Sequence, residues 1–261
     1  MVSPKVLVLR APGTNCDVET AEAWRRAGGE PERVHVNRLL ESPATLAEYQ
    51  VLSIPGGFSY GDDLGAGRVL GSQFRERLAN ACREFRDAGK LVLGICNGFQ
   101  VLTQTGLLDL EDDRGATATL AWNNNGRFEA RWVHLTPGET NCVFLADVGP
   151  IELPIAHAEG RFVARDDAAL ASLRDAGRIA LRYSAADGSP PDGYPANPNG
   201  AVDNIAGVTD ATGRVLGLMP HPERFIDGTQ HPRWTRRAAG SGAGGSGDGL
   251  RLFENAVRYF R

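Results

Sequence analysis

A glycine-flanked cysteine, placed between an apolar run and a helical pattern, constrains the fold of this chain most strongly. Residues 91–93 are Leu-Val-Leu, residues 94–98 are Gly-Ile-Cys-Asn-Gly, and Phe99 and Leu102 follow with helical spacing. A sharp turn from a strand into a helix needs glycines, which carry no Cβ. The pattern therefore predicts a nucleophile elbow with Cys96 at the tip of a strand, where the partial positive charge of a helix N-terminus stabilises a thiolate.

Taken alone, the motif leaves open that Cys96 is an inert cysteine in a tight turn, because short motifs have many false positives. Two further segments favour a catalytic role. The glycine pair in Pro-Gly-Gly-Phe at 55–58 follows a predicted strand and can present backbone N–H groups to a developing oxyanion. Pro-His-Pro-Glu-Arg at 220–224 also follows a predicted strand, and it contains a candidate base, His221, and a candidate orienting carboxylate, Glu223. Each segment could otherwise be an ordinary loop.

The order of the apolar runs predicts the fold class. Strand and helix patterns alternate as far as Leu108, which indicates an α/β fold with a doubly wound, mostly parallel sheet and helices on both faces. After Leu108 we expect a meander of antiparallel strands added to the sheet edge. The predicted strands are 5–9, 33–37, 49–54 and 91–93, then 117–122, 128–135 and 151–156 in the meander, and finally 204–208 and 215–218. One predicted helix begins near Asn15 or Asp17. The other predicted helices cover 73–89, 168–176 and 250–260.

The length and composition suit one large domain. With 261 residues, of which 42% are hydrophobic, the chain can bury an ample core, and we predict a single domain over residues 1–261. Residues 238–249 are rich in glycine and serine and predict a flexible loop. Because the segment after this loop has an apolar helical stripe that needs a core, we expect the loop to lie within the domain.

Charge and cysteine usage argue against several functions. The formal net charge of −4 argues against nucleic acid and anionic membranes as partners, and no apolar run is long enough to span a bilayer. The four cysteines are scattered without a Cys-x-x-Cys pair, which argues against a zinc site and a disulfide framework. We therefore expect no metal site and a reducing, cytoplasmic setting.

The motifs at 55–58, 94–100 and 220–224 together resemble those of class I glutamine amidotransferases, whose fold is flavodoxin-like. More narrowly, the chain is similar to the glutaminase subunits of phosphoribosylformylglycinamidine synthases in de novo purine synthesis. The segments that carry this narrower resemblance are Gly-Gly-Phe-Ser-Tyr-Gly-Asp at 56–62, Ala-Glu-Gly-Arg-Phe at 158–162, Asn-Pro-Asn-Gly at 197–200 and Gly-Leu-Met-Pro-His-Pro-Glu-Arg at 217–224. The chain departs from the family pattern in its longer Gly/Ser loop and at Ala158, where His-Gly-Glu would be expected.

The resemblance implies an enzyme and assigns roles to its residues. Cys96 would attack the side-chain amide of L-glutamine, while His221 would shuttle a proton and Glu223 would orient His221. The backbone N–H groups of Gly57 and Asn97 would hold the oxyanion. Two further residues are expected to bind substrate, namely Gly56 and Gln100.

The same resemblance implies partners. The released ammonia would pass to a separate synthetase subunit, joined by a small accessory subunit, which aminates formylglycinamide ribonucleotide. ATP and Mg²⁺ would belong to the synthetase subunit, because this chain has no Walker-type phosphate loop, and we expect no cofactor in this chain.

Two other functions stay open on the sequence alone. One is a stand-alone cysteine hydrolase of the same fold, and the other is a non-catalytic scaffold subunit. His157 and Glu159, two residues apart on a predicted strand, are either contacts to a ligand or partner, or a surface pair.

Overall fold

Strands and helices alternate through the first part of the chain in the computed structural model, which describes residues 3–237 and 245–261. The strands are β1 Lys5–Arg10, β2 Glu30–His35, β3 Val51–Ile54, β4 Leu91–Ile95, β5 Glu111–Asp112, β6 Gly115–Ala116, β7 Ala118–Ala121, β8 Glu129–Pro137, β9 Ile151–His157, β10 Arg161–Ala164, β11 Ile179–Ser184, β12 Ile205–Thr209 and β13 Val215–Leu218. The α-helices are α1 Asp17–Arg26, α2 Val36–Glu41, α3 Arg68–Gln73, α4 Ala79–Asp87, α5 Asn97–Leu102, α6 Asp167–Asp175, α7 Trp234–Arg237 and α8 Leu250–Tyr259. Within these described ranges, no helix has the length and apolar character needed to cross a bilayer.

Nine of these strands form one sheet in the order β2-β1-β3-β4-β13-β12-β11-β8-β9. The first five strands of this order run parallel, and the other four are joined by antiparallel pairs. The chain passes from β1 to β2 through α1 in one direction, and from β3 to β4 through α3 and α4 in the opposite direction. Because such crossovers are right-handed, these helices lie on opposite faces of the sheet. The predicted doubly wound α/β fold is confirmed, and its parallel strand order is flavodoxin-like.

Strands β3 and β4 lie near the centre of this sheet although their apolar runs are short. Every residue of β3 and β4 is buried, as expected for parallel strands that helices cover on both faces. Elsewhere α1 packs against α8, where the ring centroids of Trp24 and Phe253 lie 5.0 Å apart in an edge-to-face contact. Because β1, β3, β4 and β13 run parallel, their carboxyl ends lie in one row at a single edge of the sheet.

The predicted meander is only partly correct. Strands β8 and β9 pair antiparallel at the sheet edge, as expected. However, β7 pairs with β10 in a separate two-stranded ribbon, and the other neighbour of β8 is β11, which the sequence analysis does not predict. The reason lies in burial, since five of the six residues of β11 are buried, whereas only one of the four residues of β7 is.

Several predicted elements differ from the structure by a few residues in their bounds, and two of these differences involve a neighbouring helix. The pattern predicts that the second strand extends to Asn37, but β2 ends at His35 because His35 caps α2, its Nδ1 accepting a hydrogen bond from the N–H of Asn37 at 3.2 Å. The helix predicted over 73–89 begins earlier, with α3, and a π-helical turn over Phe74–Leu78 joins α3 to α4.

The predicted Gly/Ser loop falls largely outside the described part of the chain, which omits residues 238–244. Residues 245–249 are held by backbone hydrogen bonds, one of which joins the N–H of Gly249 to the carbonyl of Phe225 at 2.9 Å. Helix α8 follows directly and buries side chains such as Phe253. The segments before and after the omitted residues therefore pack against the same part of the protein.

Two glycines let β3, β4 and α5 approach one another closely. A Cβ on Gly98 would lie 1.9 Å from the carbonyl oxygen of Ile54, and a Cβ on Gly94 would lie 2.7 Å from the carbonyl oxygen of Gly98. Both distances are far below van der Waals contact, so neither position has room for a side chain. The glycines that flank the cysteine motif are thus required by contacts with backbone atoms.

We predict that Gly98→Ala lowers the free energy of unfolding by about 3 kcal/mol or more, because the added methyl group would meet the rigid backbone of β3. Urea denaturation of the purified variant measures this loss. The matched control is Gly149→Ala, because a Cβ there meets nothing within 4 Å, and its effect should stay below about 0.5 kcal/mol. A Gly98→Ala protein as stable as the wild type would contradict the packing described here.

Candidate active site

Cys96 has a strained backbone between β4 and α5. Its φ of 51° and ψ of −105° lie outside the regions that residues with a Cβ favour. The N–H of Cys96 donates to the carbonyl of Leu218 at 2.8 Å, and its carbonyl accepts the N–H of Phe99 at 2.9 Å. Its Sγ lies 3.7 Å from the carbonyl oxygen of Ala156. This is the geometry of a nucleophile elbow, held in place by neighbouring strands.

His221 and Glu223 lie beside this elbow because β13 is the parallel neighbour of β4. After β13 the chain turns, and the N–H of His221 donates to the carbonyl of Pro154 at 2.8 Å. The Nδ1 of His221 lies 2.6 Å from Oε1 of Glu223, whose side chain is fully buried. The carboxylate therefore fixes the orientation of the imidazole and leaves Nε2 as the ring nitrogen available for chemistry.

Gly56 marks the point where three segments of the chain meet. A Cβ built on Gly56 would lie 2.8 Å from Cε1 of His221, 3.1 Å from Sγ of Cys16 and 3.5 Å from Cβ of Cys96. The imidazole and the two cysteine side chains thus surround one small space, which only a glycine leaves open. The resemblance assigns Gly56 to substrate binding. In the structure, the missing side chain of Gly56 leaves room for the imidazole of His221 and the Cys16 sulfur.

The imidazole of His221 is buried among groups that favour its charged form. Burial by itself lowers the pKa of His221, but the negative charges of the Glu223 carboxylate and the Cys96 sulfur, together with the Cys16 sulfur, outweigh burial and raise this pKa well above 6.5. An imidazolium beside a sulfur stabilises negative charge on that sulfur. The arrangement can therefore activate a sulfur nucleophile and also deliver a proton to a leaving group.

Cys16 is a site residue that the sequence analysis does not single out. Its N–H donates to the carbonyl of Gly56 at 3.3 Å, and its Sγ lies 3.1 Å from Nη2 of Arg224. Burial raises the pKa of the Cys16 thiol above its ordinary value. A signal was present in the sequence, since Cys16 closely follows the first predicted strand, and ligands bind at the carboxyl ends of such strands where the strand order reverses.

The two residues expected to supply oxyanion-binding N–H groups adjoin Cys96. Asn97 is the first residue of α5, and Gly57 lines the same pocket as Cys96. The φ of Gly57 is 142°, and a Cβ there would lie 2.7 Å from the carbonyl oxygen of Gly13, so this conformation requires glycine. The N–H of Ser59 donates to Oδ1 of Asn97 at 3.2 Å, which ties the loop after β3 to α5.

A narrow pocket opens onto Cys96, and its wall includes Gln100 and Glu159. The side-chain N–H of Gln100 donates to the backbone carbonyl of Glu159 at 2.6 Å, and its Oε1 accepts a hydrogen bond from Nδ2 of Asn97 at 2.9 Å. An amide has two donor hydrogens and two acceptor lone pairs, so Gln100 keeps one of each for a ligand. Its placement is compatible with the expected role in substrate binding.

His157 also lines this pocket and is only 3% exposed, so its interpretation as a surface residue is wrong. Strand β9 ends at His157, and Glu159 lies in the following turn, where its carboxylate accepts the N–H of Ala66 at 3.3 Å. Burial, together with the charge of His221, lowers the pKa of His157 to about 3. The ring is therefore neutral, and its Nδ1 lies 3.2 Å from Oδ1 of Asn123.

We predict that the buried, neutral His157 makes the fold sensitive to acid. The unfolded chain protonates this residue below about pH 6.5 and the folded chain only near pH 3, so its contribution to stability is lost as the pH falls between these values, by about 1.4 kcal/mol per pH unit. Between about pH 7.5 and pH 5, the wild type should lose about 2 kcal/mol more of its free energy of unfolding than His157→Gln does.

Urea denaturation of both proteins at the two pH values provides this measurement. The contribution of His221 has the opposite sign, because its pKa is raised and its stabilisation is lost as the pH rises, but it is common to both proteins. Equal losses in the wild type and in His157→Gln would show that His157 is not held neutral by the fold.

Comparison with known proteins places the chain in a family. Residues 3–260 match the model of the CobB/CobQ-like glutamine amidotransferase domain. The phosphoribosylformylglycinamidine synthase subunit PurQ of Dehalococcoides mccartyi is 46% identical, over 100% of this chain and 99% of its own length. The PurQ subunit of Methanococcus maripaludis is 42% identical, over 99% of this chain and 98% of its own length.

Solved structures agree with this placement. The structure of PurLQS from Thermotoga maritima contains a chain that is 32% identical and matches over 100% of both chains, with a TM-score of 0.73. A glutamine amidotransferase from Thermotoga maritima, 16% identical with a TM-score of 0.53 over 92% of this chain and 84% of its own, shares the fold. The chain therefore belongs to the glutamine amidotransferase domain family and, within it, to the PurQ subunits of phosphoribosylformylglycinamidine synthase.

Proposed function

We propose that this chain hydrolyses L-glutamine to glutamate and ammonia as the glutaminase subunit of a phosphoribosylformylglycinamidine synthase. The observation that carries the proposal is the convergence of Cys96 and His221 around Gly56, with Glu223 hydrogen-bonded to the imidazole. A sulfur, an imidazole and a carboxylate in this relation form a nucleophile, a base and a group that orients the base. The identity of 46% with a PurQ subunit over the whole chain supports the choice of reaction.

The first half of the reaction forms a thioester. Cys96 attacks the side-chain amide carbon of glutamine, and the backbone N–H groups of Gly57 and Asn97 bind the oxyanion of the tetrahedral intermediate. Loss of one such donor typically costs about 3–4 kcal/mol of transition-state stabilisation. His221, oriented by Glu223, gives its proton to the amide nitrogen, the carbon–nitrogen bond breaks, and ammonia leaves.

The second half of the reaction hydrolyses the thioester. The imidazole of His221 is now neutral and takes a proton from water as the oxygen attacks the thioester carbon. The carbon–sulfur bond then breaks, glutamate departs, and the Cys96 sulfur carries the negative charge beside a protonated His221. Because one imidazole serves as acid in the first half and as base in the second, its fixed orientation matters for both.

We infer that a separate synthetase subunit uses the ammonia to convert formylglycinamide ribonucleotide to formylglycinamidine ribonucleotide. The PurLQS assembly of Thermotoga maritima supports a complex with a synthetase subunit and a small accessory subunit. ATP and Mg²⁺ belong to the synthetase subunit in this scheme, and the hydrolysis assigned to this chain uses only its own residues. The setting we propose is the cytoplasm, which suits four cysteines that are all free thiols.

A stand-alone cysteine hydrolase and a non-catalytic scaffold are the two alternatives. A stand-alone hydrolase would consume glutamine at its full rate without a partner, whereas a synthase subunit would be slow until the synthetase subunit binds. A scaffold would not consume glutamine in either state. Glutamine hydrolysis measured with and without the synthetase subunits therefore separates the three functions.

We predict that Cys96→Ala abolishes glutamine-dependent synthesis by the assembled complex and leaves ammonia-dependent synthesis unchanged. Removing the sulfur deletes the nucleophile, while ammonia supplied from solution bypasses this chain. Synthesis of formylglycinamidine ribonucleotide, assayed with glutamine or with an ammonium salt, measures both activities.

The matched control is Cys82→Ala on α4, which also removes a buried thiol. Burial raises the pKa of the Cys82 thiol to about 12, so it is not a nucleophile, and both activities should survive in this variant. Glutamine use by the Cys96→Ala complex would refute the assignment of the nucleophile.

We predict that Gly56→Ala lowers kcat for glutamine hydrolysis about 100-fold. The new Cβ would lie 2.8 Å from the imidazole of His221, which must then shift, and a displacement of about 1 Å in a catalytic group can cost about 100-fold in rate. Steady-state kinetics of the assembled complex provide the measurement, with Gly149→Ala as the control. A kcat equal to that of the wild type would contradict the steric role given to Gly56 in placing the imidazole of His221.

A further inference from the structure

A buried histidine beside Cys96 has no part in the proposed reaction. His157 is the last residue of β9, is 3% exposed and lines the pocket that opens onto Cys96. Its Nδ1 contacts Oδ1 of Asn123 at 3.2 Å, whereas its buried Nε2 makes no hydrogen bond to any residue that the structure describes. This nitrogen therefore lacks the partner that buried polar atoms normally have.

The hydrogen bonds of Asn123 determine which ring nitrogen of His157 carries the hydrogen. Nδ2 of Asn123 donates to the carbonyl oxygens of Arg127 at 2.8 Å and His157 at 2.9 Å. Its Oδ1 accepts the N–H of Gly160 at 3.2 Å, so the amide has only one orientation that satisfies these partners. Because Oδ1 can only accept, Nδ1 of His157 donates to it, and Nε2 is left with a lone pair as an acceptor.

The imidazole of His157 stays neutral near pH 7, so Nε2 keeps this lone pair. Burial and the charge of His221 lower the pKa of His157 to about 3. A group with so low a pKa is a poor base at neutral pH, and His157 is therefore not a second proton shuttle. What it offers to the pocket is an uncharged hydrogen-bond acceptor.

The backbone after His157 holds the ring in one orientation. A Cβ on Gly160 would lie 2.2 Å from Cε1 of His157, so the turn packs directly against the imidazole. The N–H of Asn123 donates to the carbonyl of Ala158 at 2.8 Å, and Nδ2 of Asn199 donates to the carbonyl of Gly160 at 2.8 Å. The acceptor is thus fixed in place before a substrate arrives.

The pocket has the size for a carboxamide. Its volume is about 40 Å³, which leaves room for a group of a few non-hydrogen atoms beside Cys96. A carboxamide donates two N–H groups, whereas an ester or a carboxylate has none to donate. The unpartnered acceptor of His157 therefore matches the feature that distinguishes glutamine from its product glutamate.

We propose that His157 binds the side-chain amide of glutamine, with its Nε2 accepting a hydrogen bond from an N–H group of the carboxamide. The proposal rests on the proposed function, because glutamine is the ligand only if this chain hydrolyses it. The contact holds the amide nitrogen in position for the proton from His221, and it favours a carboxamide over groups that lack an N–H. His157 itself neither gains nor loses a proton.

Two variants separate the Nε2 acceptor from the rest of the imidazole. In His157→Asn, the side-chain N–H can still donate to Asn123, but no atom takes the place of Nε2. In His157→Gln, the longer side chain can carry an acceptor oxygen to that place. We therefore expect kcat/KM for glutamine to fall about 30-fold in His157→Asn and to stay within about threefold of the wild type in His157→Gln. His134→Asn on β8, a residue outside this pocket, is the matched control and should leave kcat/KM unchanged.

A second substrate distinguishes substrate binding from a merely structural role. The 5-methyl ester of L-glutamate forms the same thioester with Cys96 but has no side-chain N–H for Nε2. Its kcat/KM in the assembled complex should change less than about threefold in His157→Asn, so the ratio of kcat/KM for glutamine to that for the ester should fall at least about tenfold. This ratio does not depend on the fraction of the variant that is folded.

Three results would overturn the proposal. They are an unchanged kcat/KM for glutamine in His157→Asn, equal falls for glutamine and the ester, and equal ratios in His157→Asn and His157→Gln. Failure of the proposed function would appear differently, as glutamine use by Cys96→Ala or as hydrolysis of neither substrate by the wild-type complex.

Discussion

The parallel pairing of β4 with β13 is the interaction on which the rest of this structure depends. The last carbonyl of β13, that of Leu218, accepts the N–H of Cys96 at 2.8 Å. The same pairing brings the turn that carries His221 alongside the elbow. Nucleophile and base thus come from adjacent central strands buried on both faces, so their relative position is set by the rigid part of the sheet and not by mobile loops.

The buried His221–Glu223 pair orients the imidazole more than it stabilises the fold. Removing a carboxylate from water is expensive, and a buried ion pair often contributes no net stability over an apolar replacement. Here the 2.6 Å contact between Nδ1 of His221 and Oε1 of Glu223 offsets the free-energy cost of burying the carboxylate, which has no exposed surface. What the pair supplies is a ring held in one orientation beside the sulfur, a requirement of the reaction and not of folding.

The sequence predicts the parts of the molecule that depend on local chemistry. Glycines at a strand–helix turn and a histidine two residues before a glutamate can be interpreted without knowing the fold, so Cys96 and His221 are found. The parts that depend on distant contacts are missed. Whether β7 or β11 joins the sheet depends on which strand has two faces to bury. The β-propensity of the residues does not predict this. The burial of His157 likewise depends on segments that meet only in the folded chain.

The central claim is that one sulfur, that of Cys96, is activated by its place in the fold. A diazoketone analogue of glutamine, which alkylates an activated nucleophile in the substrate pocket, tests this claim most directly when labelled peptides are mapped by mass spectrometry. The account predicts a single adduct on the peptide that carries Cys96 and none on Cys16, Cys82 or Cys142. An adduct on another cysteine, or no adduct in a protein that hydrolyses glutamine, would contradict it.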